Sequence, residues 1–287
     1  MKLGIAYNVF DGEELLEFSI KSIRKNAKYI VIIYQKISNF GEKCNSELET
    51  LLEDLKKKKL VDEIVLYTPK TFSDRDKLLL VSQNRTKEEV KNPLNIPDQF
   101  FNELLKRELG RTKCYLAGCS HFLLMDTDEF YLSSQVQNSI QIIEQNDYES
   151  TTCYQRYYFK KPIWELLPYD DLNCVPFIHK IDNGKPLRIA SPYPVLTDPT
   201  RRMENCSQSF HFTRDVVEMH HMSFVRKNMK SKITNVSNKA NFDLDPQEFL
   251  KKFEKWEPSQ GVLHPHPYFQ KYFKSINIVE NIFDIEI

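Results

Sequence analysis

The stretch His121-Phe-Leu-Leu-Met-Asp126-Thr-Asp128-Glu129-Phe130-Tyr131 decides how the chain folds. HFLLM is an apolar run of strand length, of the kind found in a sheet covered on both faces. It ends abruptly in three carboxylates within four positions, Asp126, Asp128 and Glu129. Negative charge at a buried strand end needs compensation. A divalent cation would supply it, and hard oxygen ligands suit Mg²⁺ or Mn²⁺, which also chelate a diphosphate. Two aspartates spaced by one residue are a weak signal alone, because they also cap turns or pair with arginines. Their place after the fourth strand of an alternating pattern strengthens it.

That pattern runs upstream. Lys2 to Tyr7 reads as a strand, and Asp11 with Glu14 reads as the capping box of a helix carrying Leu15, Phe18 and Ile23. Tyr29 to Tyr34 (YIVIIY) is a second buried strand. Ser46 and Glu49 form another capping signature, before a helix with Leu48, Leu51, Leu52 and Leu55 on one face. Glu63 to Tyr67 is a third strand. Thr68 to Pro97 shows no clear period and reads as an excursion. Asp98 opens a helix with Phe101, Leu104, Leu105 and Leu109 inward, and Ser133 or Ser134 caps the helix after the acidic cluster.

Strand–helix alternation with short links predicts an α/β fold: a mostly parallel central sheet flanked by helices. Ligands of such sheets bind beyond the carboxyl ends of the strands. Asn8, Gln35 and Asp126 all fall there and are expected to converge. The second half is less regular and reads as α+β, with strands at Thr151 to Phe159, Pro176 to Asp182 and Glu218 to Phe224. Asp245 and Pro246 start a late helix, and the aromatic tail from His264 is expected to dock. The division expected is one domain over residues 1–240, with a nucleotide-binding half to about 132, and a helical extension over 241–287.

Composition narrows the classes. Lys+Arg and Asp+Glu both total 40 in 287 residues, so no global basic field for nucleic acid exists. No apolar stretch approaches the ~20 residues of a membrane span, and the first residues lack signal-peptide regions. A cytoplasmic chain, with peripheral membrane contact allowed, is the expectation. The six cysteines form no CxxC pair and read as reduced thiols.

The motif MDTDEFY resembles the D-x-D-E-F signature of nucleotide-sugar-dependent glycosyltransferases with the GT-A (Rossmann-like) fold, family 2-like members in particular. Ala6-Tyr-Asn-Val-Phe-Asp-Gly-Glu-Glu-Leu-Leu-Glu, followed by YIVIIYQ, is similar to that family's opening unit. Lys106-Arg107-Glu108-Leu109-Gly110 resembles its RN-x-G helix. The resemblance covers about residues 1–160. It implies that Asp126 faces the donor ribose or the metal and that Asp128 ligates Mn²⁺ or Mg²⁺. Tyr7, Asn8, Gln35, Lys106 and Arg107 would lie by the nucleotide. Gln35 stands where the family usually has an acid. The partners implied are a nucleoside-diphosphate sugar and a glycan or glycolipid acceptor.

Glu218-Met-His220-His221-Met-Ser-Phe-Val-Arg226-Lys227-Asn-Met-Lys230-Ser-Lys232 is the second informative segment. Met219 to Val225 reads as a strand and Arg226 to Asn238 as a helix. Adjacent strand residues face opposite ways, so one of His220 and His221 reaches the crevice, and the resemblance makes that one a metal ligand. Arg226, Lys227 and Lys230 make a candidate diphosphate clamp. Glu129 and Asp198 are candidates for the base that deprotonates an acceptor hydroxyl. Two other readings are weighed: a haloacid-dehalogenase-like phosphatase or phosphotransferase using Asp126, and a non-catalytic nucleotide- or glycan-binding module.

Overall fold

The computed structural model describes residues 1–84, 92–182, 186–188, 195–203, 208–235 and 242–287. Its first half lays down β1 (Leu3–Val9), α1 (Glu13–Ile23), β2 (Tyr29–Tyr34), α2 (Leu48–Lys57), β3 (Glu63–Leu66), α3 (Asp74–Asn84), α4 (Asp98–Leu116) and β4 (His121–Asp126). A short β5 (Glu129–Phe130) and α5 (Ser133–Asn146) follow. The second half adds β6 (Ser150–Phe159), β7 (Lys161–Leu167), β8 (Cys174–Lys180), the two-residue strands β9 (Leu187–Arg188) and β10 (Arg202–Met203), β11 (Ser209–His211) and β12 (Glu218–Phe224). Then come α6 (Met229–Asn235), α7 (Pro246–Lys255), α8 (Pro267–Tyr272) and β13 (Ser275–Ile278).

The architecture is α/β, with helices flanking one central sheet in the order β13-β7-β6-β8-β4-β1-β2-β3. The β3-β2-β1-β4 half is parallel. β8 then joins β4 antiparallel, and β6, β7 and β13 continue antiparallel. The expected parallel sheet therefore holds for the first half, and the second half extends the same sheet in mixed sense. β12 lies parallel to β6 and antiparallel to β5.

Period-two alternation builds two cores. Ile5, Tyr7, Leu123 and Met125 face α1, α2 and α5, whose Leu16, Ile20, Leu52, Leu55, Val136 and Ile143 cover them. Ala6, Val31, Ile33, Phe122 and Leu124 face α4, which contributes Phe101 and Leu104. A third core joins Phe159 and Trp164 to Phe249, Phe253, Trp256 and Phe273. The region beyond 240 thus docks, and besides helices it supplies the edge strand β13.

Several local expectations give way to tertiary partners. The helix N-caps are Gly12, Glu47 and Leu132, none with a side-chain cap bond. Asp11 is taken instead by Arg226, Glu49 by Tyr34 and Lys36, and Ser133 Oγ by Asn26. Asp245 does cap α7, accepting from the amides of Gln247 and Glu248. The excursion contains α3, which shows no apolar face in its sequence. The helix expected from Arg226 begins at Met229, and Asn238 lies outside the described residues. Cys44, Cys114, Cys119, Cys153 and Cys174 are free thiols, and Cys206 lies outside the described residues.

His179 on β8 is 1% exposed, with its ring against Phe122 and its Nδ1 2.8 Å from Ser150 Oγ. Burial drives its pKa down to about 3. The unfolded imidazole protonates near ~6.5, so its stabilising contribution is complete above that pH and is lost as pH falls towards 3. His179→Gln is expected to flatten the decline in unfolding free energy between about pH 6.5 and 4.5 by up to about 1.4 kcal/mol per pH unit. Urea titrations at several pH values measure this, and equal slopes for the two proteins would contradict it.

Candidate active site at the carboxyl ends of the parallel strands

The parity that sends Ala6, Val31 and Leu124 towards α4 also sends Asn8, Gln35 and Asp126 there, at the strand ends. Asn8 is in register with Asp126, and the Gln35 amide donates to Val9 O at 3.0 Å. α4 comes unusually close. A Cβ at Gly110 would stand 2.6 Å from Ala6 Cβ, so glycine is required by the contact. One turn before it Lys106 and Arg107, and two turns before it Glu103, lie over the strand ends. Lys106 Nζ donates to Gln35 Oε1 (2.6 Å) and Glu103 Oε1 (3.1 Å). Gln35 Nε2 donates to Asn39 Oδ1, and Asn39 Nδ2 donates to Glu103 Oε1. Tyr7 lies on the opposite face, fully buried and with its hydroxyl on Ser19 Oγ, so it is not brought to this crevice.

The acidic turn is held from three sides. Thr127 Oγ1 donates to Asp11 O, Ser19 Oγ to Glu129 O, and the Met222 amide to Asp128 O. Its charges are met by protein cations, the arginine pairing that the sequence left as the alternative to a divalent ion. Arg201 donates to Asp126 Oδ2 and, through Nη1, to Glu129 Oε2 at 2.9 Å. Arg107 Nη2 is 3.6 Å from Asp126 Oδ2 and 3.4 Å from Asp198 Oδ2. Arg226 bridges Asp128 Oδ2 and Asp11 Oδ1, and Lys232 Nζ adds a contact to Asp128 Oδ2 at 3.1 Å. Burial alone would push Asp126 and Asp128 upwards. The Arg201 and Arg107 guanidiniums, and for Asp128 Lys232 and Arg226, hold both carboxylates ionised instead.

The histidines separate as period two requires. His221 Nε2 faces Asp128 Oδ1 at 3.7 Å, too far for a hydrogen bond. Burial brings its pKa down to about 4, so it presents a neutral imidazole at pH 7. His220 points the other way, hydrogen-bonded to Tyr158 and edge-on to Phe283. Asp128 Oδ1 and His221 Nε2 are an oxygen–nitrogen pair suited to Mn²⁺ or Mg²⁺, with the other Asp128 oxygen already engaged. Asp126 is held by Arg201 and stands outside that pair. Among the described residues no three His, Cys, Asp or Glu groups converge as a metal cluster. An ion would therefore find one oxygen–nitrogen pair here and would need Asp126 to leave Arg201 for a third ligand.

Of the two candidate bases, Glu129 is 3% exposed and both its oxygens face Arg201, with burial raising its pKa to about 7. Asp198 has 37% of its side chain exposed and shares Arg107 and Arg201 with Asp126. Lys227 and Lys230 are exposed, and among the described residues neither forms an ion pair with the acidic turn. Sequence reasoning missed Arg201, Asp11, Glu103 and Lys232. Of these, Asp11 and Lys232 lay within segments already singled out.

Several buried donors around this turn have no hydrogen-bond acceptor among the described residues: Asn8 Nδ2, Arg107 Nε and Nη1, and Arg226 Nε. Buried polar groups in folded proteins are nearly always satisfied, so these are the donors that the oxygen atoms of an anionic ligand would meet.

No protein-family model and no curated protein matches the chain. Among solved structures it is similar to S. aureus TarS, with a TM-score of 0.42 and 10% identity over 91% of this chain and 45% of that one. It thus spans less than half of TarS. For TarS 1-349 in complex with UDP-GlcNAc the TM-score is 0.39 and the identity 11%, over 86% of this chain and 69% of that one. Glucosyl-3-phosphoglycerate synthase from Mycobacterium tuberculosis, in complex with Mn²⁺, UDP and phosphoglyceric acid, gives 0.29 and 10%, over 54% and 43%. These likenesses are loose.

Gly12 makes the site testable through packing. Its φ is +74°, and a Cβ there would meet Thr127 Oγ1 at 2.5 Å and Arg226 Nη1 at 2.6 Å. Gly12→Ala is expected to lower unfolding free energy by about 1–3 kcal/mol, from a left-handed backbone and displacement of Arg226. Urea denaturation measures it. A change within about 0.5 kcal/mol would mean that Arg226 is not pressed against this glycine.

Proposed function

We propose that this chain is a GT-A-type glycosyltransferase that moves a sugar from a nucleoside-diphosphate sugar to a hydroxyl acceptor in glycan synthesis. The observation that carries the reading is the ring of unpartnered buried donors around Asp126 and Asp128, at the edge where a parallel sheet binds its ligands. Asn8, Gln35, Lys106 and Arg107 would face the nucleoside, and Arg226 the diphosphate. Mn²⁺ or Mg²⁺, held by Asp128 and His221 with Asp126, would supply Lewis-acid neutralisation of the leaving diphosphate. Asp198 is assigned the base role, because Glu129 is locked on Arg201 and acts as a positioning residue for it. A phosphatase reading, with Asp126 as nucleophile, sits poorly with two guanidiniums on that carboxylate.

Thermal-shift screening against nucleoside diphosphates and their sugars, with UDP-GlcNAc in the panel and with and without Mn²⁺, tests the core of the reading. A ligand at about 100 times its Kd adds about 2.7 kcal/mol, which shifts Tm by several degrees. Asp128→Asn is preferable to alanine, which would strand two buried cations. It is expected to abolish the Mn²⁺-dependent part of the shift. A panel in which no nucleotide stabilises the protein would sink the proposal.

Asp198→Asn is expected to reduce turnover about 10²–10⁴-fold while nucleotide binding, followed by the same melting shift, stays near wild type. Full turnover in that variant would remove Asp198 from the base role.

A further inference from the structure

We infer that Lys232, paired with Arg226, is the second cation that receives the donor's diphosphate, in place of Lys227 and Lys230. The inference rests on the glycosyltransferase reading above. α6 is anchored by Met229 and Ile233, which are buried in the third core. Position 232 shares that inward side, three residues after Met229, whereas Lys230 projects into solvent. Ser231 Oγ, between them, donates to Asp11 Oδ2 at 3.2 Å and fixes the helix against the β1–α1 loop.

The charges explain why these two cations are available to a ligand. Arg226 and Lys232 converge on one oxygen, Asp128 Oδ2, and Asp11 takes the other arm of Arg226. Two carboxylates and two cations balance. The Lys232 side chain is 19% exposed against 3% for Arg226, so its ammonium borders solvent while Arg226 is enclosed. An ammonium offers three donors on a flexible stem, so it can swing to a phosphate oxygen, a move that a buried guanidinium cannot make as freely. When it swings, Asp128 is relieved of one cation at the moment a metal ion would need its charge.

In the transfer step the acceptor oxygen bonds to the anomeric carbon and the anomeric carbon–oxygen bond to the diphosphate breaks. The electron pair stays on the diphosphate, and the hydroxyl proton passes to Asp198. Lys232 and Arg226 meet the charge that accumulates on the leaving diphosphate.

Isothermal titration calorimetry with inorganic pyrophosphate, in EDTA-containing buffer, isolates the cations from any metal. Lys232→Met is expected to weaken pyrophosphate about tenfold or more, Lys232→Arg to retain most of the affinity, and Lys230→Met to match wild type. A second titration, with Mn²⁺ alone in metal-free buffer, is expected to show tighter Mn²⁺ binding in Lys232→Met than in wild type, because Asp128 has lost a competing cation. That gain reads the competition between Lys232 and the ion for Asp128, and the pyrophosphate titration reads the role of Lys232 towards the diphosphate. Lys232→Gln is read in the same way if the methionine variant melts early. Wild type that binds pyrophosphate, with Lys232→Met binding it equally well, overturns the role of Lys232. Loss in Lys230→Met alone does the same. Wild type that binds neither pyrophosphate nor any nucleoside diphosphate overturns the transferase reading itself.

Discussion

The centre of the molecule is a set of carboxylates that the first half of the chain cannot neutralise alone. Asp126, Asp128 and Glu129 leave β4 close together, and of the guanidiniums that hold them among the described residues only Arg107 comes from the same half. Arg201 and Arg226 are drawn in from the second half. Removing one member of a buried ion pair leaves the other charge stranded, at a cost of about 3–5 kcal/mol. The placement of β12, α6 and the Pro199–Arg201 turn is therefore constrained by charge as much as by apolar packing. The same pairing keeps Asp126 and Asp128 ionised in spite of their burial.

The parallel half was legible because its strands are continuous apolar runs and its helices carry clear stripes. That Asn8, Gln35 and Asp126 share one face follows from counting by two along three such strands; Asn8 is in register with Asp126, and Gln35 lies two residues beyond Ile33, the partner of Asn8 on β2. α3 was not legible, since Asp74-Arg-Asp-Lys-Leu-Leu-Leu-Val-Ser-Gln-Asn has no amphipathic face to detect. β13 was missed because it has four residues and its partner lies far off in sequence, Ile276 opposite Leu166; β7, which pairs with the adjacent β6, was missed because Lys161, Pro162 and Glu165 interrupt its apolar pattern. Capping signatures misled wherever the side chain had a stronger distant partner, as Asp11 has in Arg226.

The site was legible in its acids and only partly in its bases. Carboxylates after an apolar strand announce themselves, whereas Arg201 sits in a Pro-Thr-Arg-Arg turn that nothing local distinguishes. His220 and His221 could not be told apart by alternation alone. The structure separates them by surroundings, one among Tyr158 and Phe283, the other beside Asp128. The basic segment was read as a helix from Arg226. Because the helix starts at Met229, its inward positions shift, and Lys232 replaces Lys230 beside the acid.

The bond from Arg226 to Asp11 joins residues 215 positions apart. A ribosome delivers the two ends of that bond many seconds apart, at about 5–20 residues per second. Until Arg226 emerges, the nascent β-α half holds its acidic rim without its principal counter-charge. The crevice is thus among the last parts of the molecule to mature, and a half-made polypeptide has little means of capturing an anionic metabolite during synthesis.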